Sequence, residues 1–301
     1  MDNKIRLISI LFFFFPIITW GQKQKLLFSS EYFNPLQQKF IKDNKLENVY
    51  IIYQDKILDS FGKLDKIKMK ESINATIPNV NQQGYGILDV EDENYYIISG
   101  LVPVSLSKYD KVLKDYVKKN IEILKYAKYL RPNMKWSFFD MQSVMYPEMK
   151  LKYIQLINKN DQLIKEVDFF APALYLDYSY SDMQKKLFLE SNIKYSLQLG
   201  KEFKKPVFPF VWHRYSLISG KYAQIKINEK KFNNYIANIL NFTFNNCKVD
   251  GVIWWNGESS GYAGRKNSKN INDEYLNIKS PEIYQIQLLQ RYLDAIKGNF
   301  R

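Results

Sequence analysis

Gln83-Gly84-Tyr85-Gly86-Ile87-Leu88-Asp89-Val90-Glu91 is a largely apolar run that ends in two acids. Side chains alternate along an extended strand, so residues 89 and 91 share a face. In a barrel of parallel strands the C-terminal strand ends carry the active site, and both acids fall there. Two neighbouring carboxylates do not both ionise cheaply, so one keeps its proton to higher pH. A protonated carboxylic acid beside an ionised one is what cleavage of a glycosidic bond requires. Glu91 is the candidate acid and Asp89 its partner. Spacing alone also fits a solvated acidic turn, because Asp92 and Glu93 follow directly.

Working outward, further short apolar runs read as strands: Lys25 to Ser29, Val49 to Tyr53, Trp136 to Asp140, Phe169 to Leu176, Val207 to Trp212 and Val249 to Trp255. They are apolar nearly throughout, as strands covered on both faces should be. Helical patterns lie between them. In the clearest, from about Tyr109 to Leu130, Leu113, Val117, Ile121 and Leu124 form one stripe and Pro132 follows its end. Others run near Met149 to Val167, Asp182 to Leu199 and Lys230 to Phe244. A last helix from Pro281 to Lys297 has Ser280 as its expected N-cap. Repeated strand–helix units predict an α/β fold, an irregular (β/α) TIM-like barrel of about seven parallel strands, with a doubly wound open sheet as the alternative. Asn256 to Lys279, rich in Gly, Ser and Asn, reads as a long loop after the last strand.

The chain has 301 residues, 46% of them hydrophobic, which is enough for one large core. Met1 to Arg6 is short and basic, Leu7 to Trp20 is apolar, and a small residue precedes a polar stretch. That pattern predicts a signal peptide over residues 1–21, export from the cytoplasm, and a single catalytic domain over 22–301. A retained anchor helix is the other reading. Cys247 is the only cysteine, so no intramolecular disulfide is possible and the core alone must stabilise the fold. The net charge of +13 favours acidic partners such as uronic-acid polysaccharides, nucleic acid or anionic membranes. The lysines are spread along the whole chain with no basic arm, so no nucleic-acid partner and no stable membrane span are expected. The 23 Tyr, 20 Phe and 5 Trp suit sugar binding as well as a core of large side chains.

The segment ending in Asp89-Val90-Glu91 resembles the strand that carries the Asp-x-Glu pair of the animal and venom hyaluronidases. Val49 to Lys56, Tyr129-Leu130-Arg131-Pro132 with Trp136, Asn160 to Leu163 with Ala173 to Leu176, Pro206 to Val211, and Gly251 to Trp255 resemble further segments of that family in the same order. The resemblance implies a distorted (β/α) barrel. It also implies retaining, substrate-assisted cleavage of polymers containing β-linked N-acetylhexosamine, hyaluronan chief among them. Glu91 would be the general acid/base and Asp89 would hold the N-acetyl group whose carbonyl oxygen is the nucleophile. Tyr175 would help to position that group and Trp255 would pack on it. The chain departs from the pattern at Phe139, where the family has a second site tyrosine, and at Val90, where it has a tryptophan.

Trp212, His213, Arg214 and Tyr215 follow a predicted strand at the same end. All four are candidate sugar contacts, Arg214 and Tyr215 foremost, with Arg214 pairing a uronic carboxylate; a loop cluster satisfied within the protein is the alternative. Gly257-Glu258-Ser259-Ser260-Gly261 matches G-x-S-x-G, but the only histidine, His213, precedes the serine, against the order of α/β-hydrolases. One His and one Cys give a zinc or iron site almost no ligands, and glycine patterns for phosphates or dinucleotides are missing, so no cofactor is expected. Two alternatives stay open: a chitinase-like hydrolase, whose longer acidic run is interrupted here by Tyr85 and Gly86, and a non-catalytic glycan-binding barrel.

Overall fold

The computed structural model describes residues 23–30, 34–99, 102, 104–141, 161–258 and 269–300. The predicted signal segment, most of the Met149 to Val167 helix and the serines of the G-x-S-x-G stretch lie outside the described residues. In chain order the elements are β1 (Lys25–Ser30), α1 (Pro35–Asp43), β2 (Glu47–Tyr53), α2 (Lys66–Thr76), β3 (Gly84–Asp89), α3 (Glu93–Ile98), α4 (Leu106–Leu130) and β4 (Met134–Phe138). They continue with α5 (Asp161–Glu166), α6 (Asp182–Phe203), β5 (Phe210–Val211), α7 (Glu229–Asn241), β6 (Gly251–Asn256), α8 (Lys269–Tyr275) and α9 (Pro281–Ile296).

The six strands form one curled, all-parallel sheet in the order β4-β3-β2-β1-β6-β5, a TIM-like half-barrel. Parallel neighbours need crossovers, and the helices between strands supply them. Alternation sorts the side chains into two layers. Leu27, Val49, Tyr85, Ile87 and Ile253 fill the concave side with Phe169, Phe208 and Phe210. The rings of Tyr85, Phe169 and Phe208 meet edge to face at centroid distances of 5.3–6.0 Å. Phe28, Ile52, Leu88, Trp136 and Trp254 face the helices in the larger outer core. Gly86 is needed in that layer: a β-carbon there would run into the indole of Trp136, which lies over it from the paired position on β4.

Of the irregular barrel of about seven strands expected from the sequence, the described residues show a curled six-strand half-barrel. Phe169 to Leu176 makes isolated parallel bridges, Phe170 to Val207 and Ala173 to Phe210, and β5 is two residues long. Pro172, Pro206 and Pro209 remove ladder donors in both segments, which shortens regular pairing. Backbone bonds still join Phe169–Leu174 to both edges of the sheet. Asp140 N donates to Ala171 O at 3.1 Å on the β4 side, and Leu174 N donates to Phe210 O at 2.9 Å on the β5 side.

The helices follow their sequence signals at most ends. Ser105 caps α4, and Arg131 closes it by donating to Ile77 O and to Asn74 Oδ1. α6 starts with a capping box between Ser181 and Gln184 and ends at Lys204 in the left-handed conformation. Ser280 sits at the N-cap of α9 without making a side-chain cap bond. The expected loop after β6 contains α8, whose Ile271 and Tyr275 are buried. No described helix is long and apolar enough to cross a membrane.

Candidate active site at the C-terminal ends of the strands

Ile87 points into the concave side, Leu88 into the outer core, and Val90 again into the outer core. Asp89 is therefore on the concave face at the end of β3, and Glu91 follows just past the strand; both are half-buried. Asp92 does not extend a solvated acidic turn. It caps α3 by accepting from Tyr95 N at 3.1 Å and is ion-paired to Lys119 of α4. The chain is thus anchored directly after Glu91. Burial pushes the Glu91 carboxyl above the usual carboxylate range. Tyr96, an exposed ring on α3, has its hydroxyl shifted up by burial and by the charges of Glu91 and Asp89.

An aromatic wall stands beside the acids. Phe139 stacks on Tyr175 with centroids 6.1 Å apart, and Tyr175 stacks on Trp255 at 5.6 Å. Trp212 closes the group, 4.7 Å from Trp255 and edge-on to Tyr175 at 6.0 Å. Tyr175 is the link to the carboxylates. Burial raises its hydroxyl well above the ordinary tyrosine range, and the charges of Asp89, Glu91 and Asp140 add to the shift. Gly257 lies flat on the Trp255 indole: a β-carbon there would come within 2.7 Å of the ring. The structure therefore brings Asp89, Glu91, Phe139, Tyr175 and Trp255 together.

Arg214 and Tyr215 require a correction. Neither faces the wall; both turn inward. Arg214 is fully buried and its guanidinium is used within the protein. It donates from Nε and Nη2 to Glu258, the latter bond 2.7 Å long, to Glu274 at 3.0 and 3.1 Å, and to Gln224 O at 2.9 Å. No donor is left for a uronic carboxylate. Tyr215 is buried against Tyr178, with its hydroxyl accepting from Lys231. The satisfied-cluster alternative is the one observed.

Glu258 is the centre of that cluster. Besides Arg214 it accepts from Tyr275 Oη at 2.7 Å and is 2.9 Å from His213 Nε2. Trp254 Nε1 donates to His213 Nδ1 at 3.1 Å, so Nε2 carries the imidazole proton and the ring is neutral. Burial lowers the His213 pKa in the same sense, against the pull of Glu258. Burial alone would raise Glu258, but the Arg214 charge and the bonds from His213 and Arg214 outweigh it and hold the carboxyl well below its ordinary range. This cluster lies behind the wall, since Tyr275 packs with Trp212 and Trp255. Among the described residues no group of three or more His, Cys, Asp or Glu side chains is placed to hold a metal ion.

One residue of the site, Asp140, is assigned no role from the sequence alone. Asp140, at the end of β4, is buried and accepts from Tyr95 Oη at 2.9 Å and from Ala173 N at 3.0 Å. Trp212, one of the four sugar-contact candidates, stands in the aromatic wall. The signal for Asp140 in the sequence is weak, because Asp140 and Tyr95 are 45 positions apart.

The solved structures that match this chain include two of bee venom hyaluronidase: a monoclinic crystal form, and a complex with a hyaluronic acid tetramer. The first aligns at 16% identity with a TM-score of 0.57, the second at 15% and 0.56. Each alignment covers 87% of this chain and 100% of the other. The fold is hyaluronidase-like. At this identity the likeness is one of fold alone. No family model matches the sequence, and no curated protein matches it.

Proposed function

We propose that this chain is an exported glycoside hydrolase of hyaluronidase type, acting on polymers of β-linked N-acetylhexosamine by a retaining, substrate-assisted route. The observation that carries the reading is the pair at the end of β3. Asp89 is on the concave face, Glu91 follows just past the strand and is held toward its protonated form by burial, and the charges of both reach the buried Tyr175, which stacks on Trp255. A carboxyl that keeps its proton to higher pH can donate it to a leaving oxygen, and an aromatic wall can cover the apolar face of a sugar.

In this reading Glu91 gives its proton to the glycosidic oxygen as the bond to the anomeric carbon breaks. The carbonyl oxygen of the sugar's own N-acetyl group attacks that carbon from the other face. Asp89 orients the amide and stabilises the positive charge that the nitrogen acquires. Water then attacks the cyclic intermediate and passes a proton to Glu91, now the base, which regenerates the acid. Two inversions give net retention. Tyr175 and Trp255 confine the N-acetyl group, and Phe139 keeps the packing surface without supplying a hydroxyl. The protein needs no carboxylate nucleophile of its own.

The net charge of +13 supports an acidic polymer as substrate. The bonds from Phe169–Leu174 to β4 and to β5 support closure of the barrel through a seventh, irregular segment. Export rests on the N-terminal pattern, with the mature chain starting near Gln22. The test is the first product of cleavage of an N-acetylated polymer, read by NMR before mutarotation. Retained β configuration, with inhibition by a thiazoline analogue of the cyclic intermediate, is expected. An inverted product would remove the mechanism.

A further inference from the structure

We infer that Asp140 is a positioning residue that sets Tyr175 against the Asp89 and Glu91 pair, acting through its bonds to Ala173 and Tyr95. The inference rests on the function proposed above for what the positioning achieves, and on geometry alone for the positioning itself.

Asp140 joins three pieces of chain that each deliver a site residue. Its own backbone follows Phe139, whose ring stacks on Tyr175. Its amide donates to Ala171 O at 3.1 Å, and its Oδ1 accepts from Ala173 N at 3.0 Å. Both contacts are on the segment that leads into Tyr175, where Pro172 interrupts the regular ladder. The side chain thus supplies an acceptor for a buried N–H where strand pairing is irregular. Its Oδ2 accepts from Tyr95 Oη at 2.9 Å, and Tyr95 is on α3, directly after Glu91. One carboxylate therefore ties α3, which begins just after Glu91, to the segment that carries Tyr175. It does so from a φ of 45°, the left-handed region that Asp and Asn tolerate better than most residues. Removal of the tie leaves the strand ends in place but frees Tyr175 and α3 to shift independently. Displacements of an ångström at a reacting centre cost large factors in rate.

The experiment places 3-fluorotyrosine at position 175 and reads its ¹⁹F resonance in the full chain, together with steady-state kinetics on an N-acetylated polymer. Asp140→Asn keeps the backbone preference and an acceptor for Ala173 N, but loses the acceptor for Tyr95 and the charge. The expected result is a shifted or broadened Tyr175 resonance and a kcat lowered on the order of tenfold or more, with the melting temperature little changed. Tyr95→Phe should move the resonance in the same direction, and the double variant should be no worse than Asp140→Asn, because the two groups act as one unit. An unmoved resonance with unchanged kcat in Asp140→Asn overturns the inference. If that variant does not fold, an unmoved resonance in Tyr95→Phe overturns it instead. If the wild type cleaves no N-acetylated polymer, the proposed function fails, and the ¹⁹F shift still decides whether Asp140 positions Tyr175.

Discussion

Replacement of Glu91 by glutamine should change activity and stability in opposite directions. The amide is nearly isosteric but has no proton to give. If Glu91 is the general acid, turnover should fall by about 10²- to 10⁴-fold, or roughly 3–5 kcal/mol of barrier. The stability effect follows from the raised carboxyl of Glu91, which burial shifts up from an ordinary value of 4.5. Above pH 4.5 the unfolded chain has released this proton while the folded chain still holds it. The folded state binds more protons in that window, so its stability falls as pH rises through it. Glutamine removes that cost. Glu91→Gln should therefore melt higher than the wild type at neutral pH, with the difference shrinking as pH falls toward 4.5 and vanishing below it. The assays are reducing-end release from an N-acetylated polymer and thermal unfolding between pH 4 and 8. Retained turnover would show that the acid lies elsewhere. A melting difference independent of pH would refute the account of its burial.

Arg214→Met should destabilise the chain by about 3–5 kcal/mol, because it leaves Glu258 and Glu274 without their buried cation; a urea midpoint within error of the wild type would show the pairs to be dispensable. Gly257→Ala should push the Trp255 indole from its place, since the new methyl would stand 2.7 Å from the ring. We expect a loss of about 1–3 kcal/mol of stability from overpacking and weaker binding of N-acetylated oligosaccharides in a titration. Unchanged affinity would remove Trp255 from the binding surface.

Strands β1, β2, β3 and β6 were legible because both of their faces are covered, which writes an unbroken apolar run into the sequence. The same criterion read Phe169 to Leu176 and Val207 to Trp212 as full strands. It weighs hydrophobicity and misses that three prolines have removed the donors. α1 and α2 were missed because each is short and buries only two side chains, Gln37 and Phe40 in one and Met69 and Ile73 in the other. In the site, Asp89 and Glu91 were legible from alternation along one strand. Tyr175, Trp255 and Phe139 came from family likeness, and the stacked wall they form joins three separate strand ends. Arg214 was read by its place after a strand. Its partner Glu258 is 44 positions away, and only the fold shows that the guanidinium is already paired. The bond between Asp140 and Tyr95 is hidden for the same reason.

The central claim is that the substrate supplies the nucleophile, and removal of that nucleophile tests it most directly. Matched samples of one β-linked polymer, N-acetylated and de-N-acetylated, should be compared for reducing-end release by the wild-type chain and for binding by Glu91→Gln. The account predicts cleavage of the first polymer only, with much of the binding kept for the second, because the acetyl carbonyl acts mainly in the transition state. Equal cleavage of both polymers would contradict it.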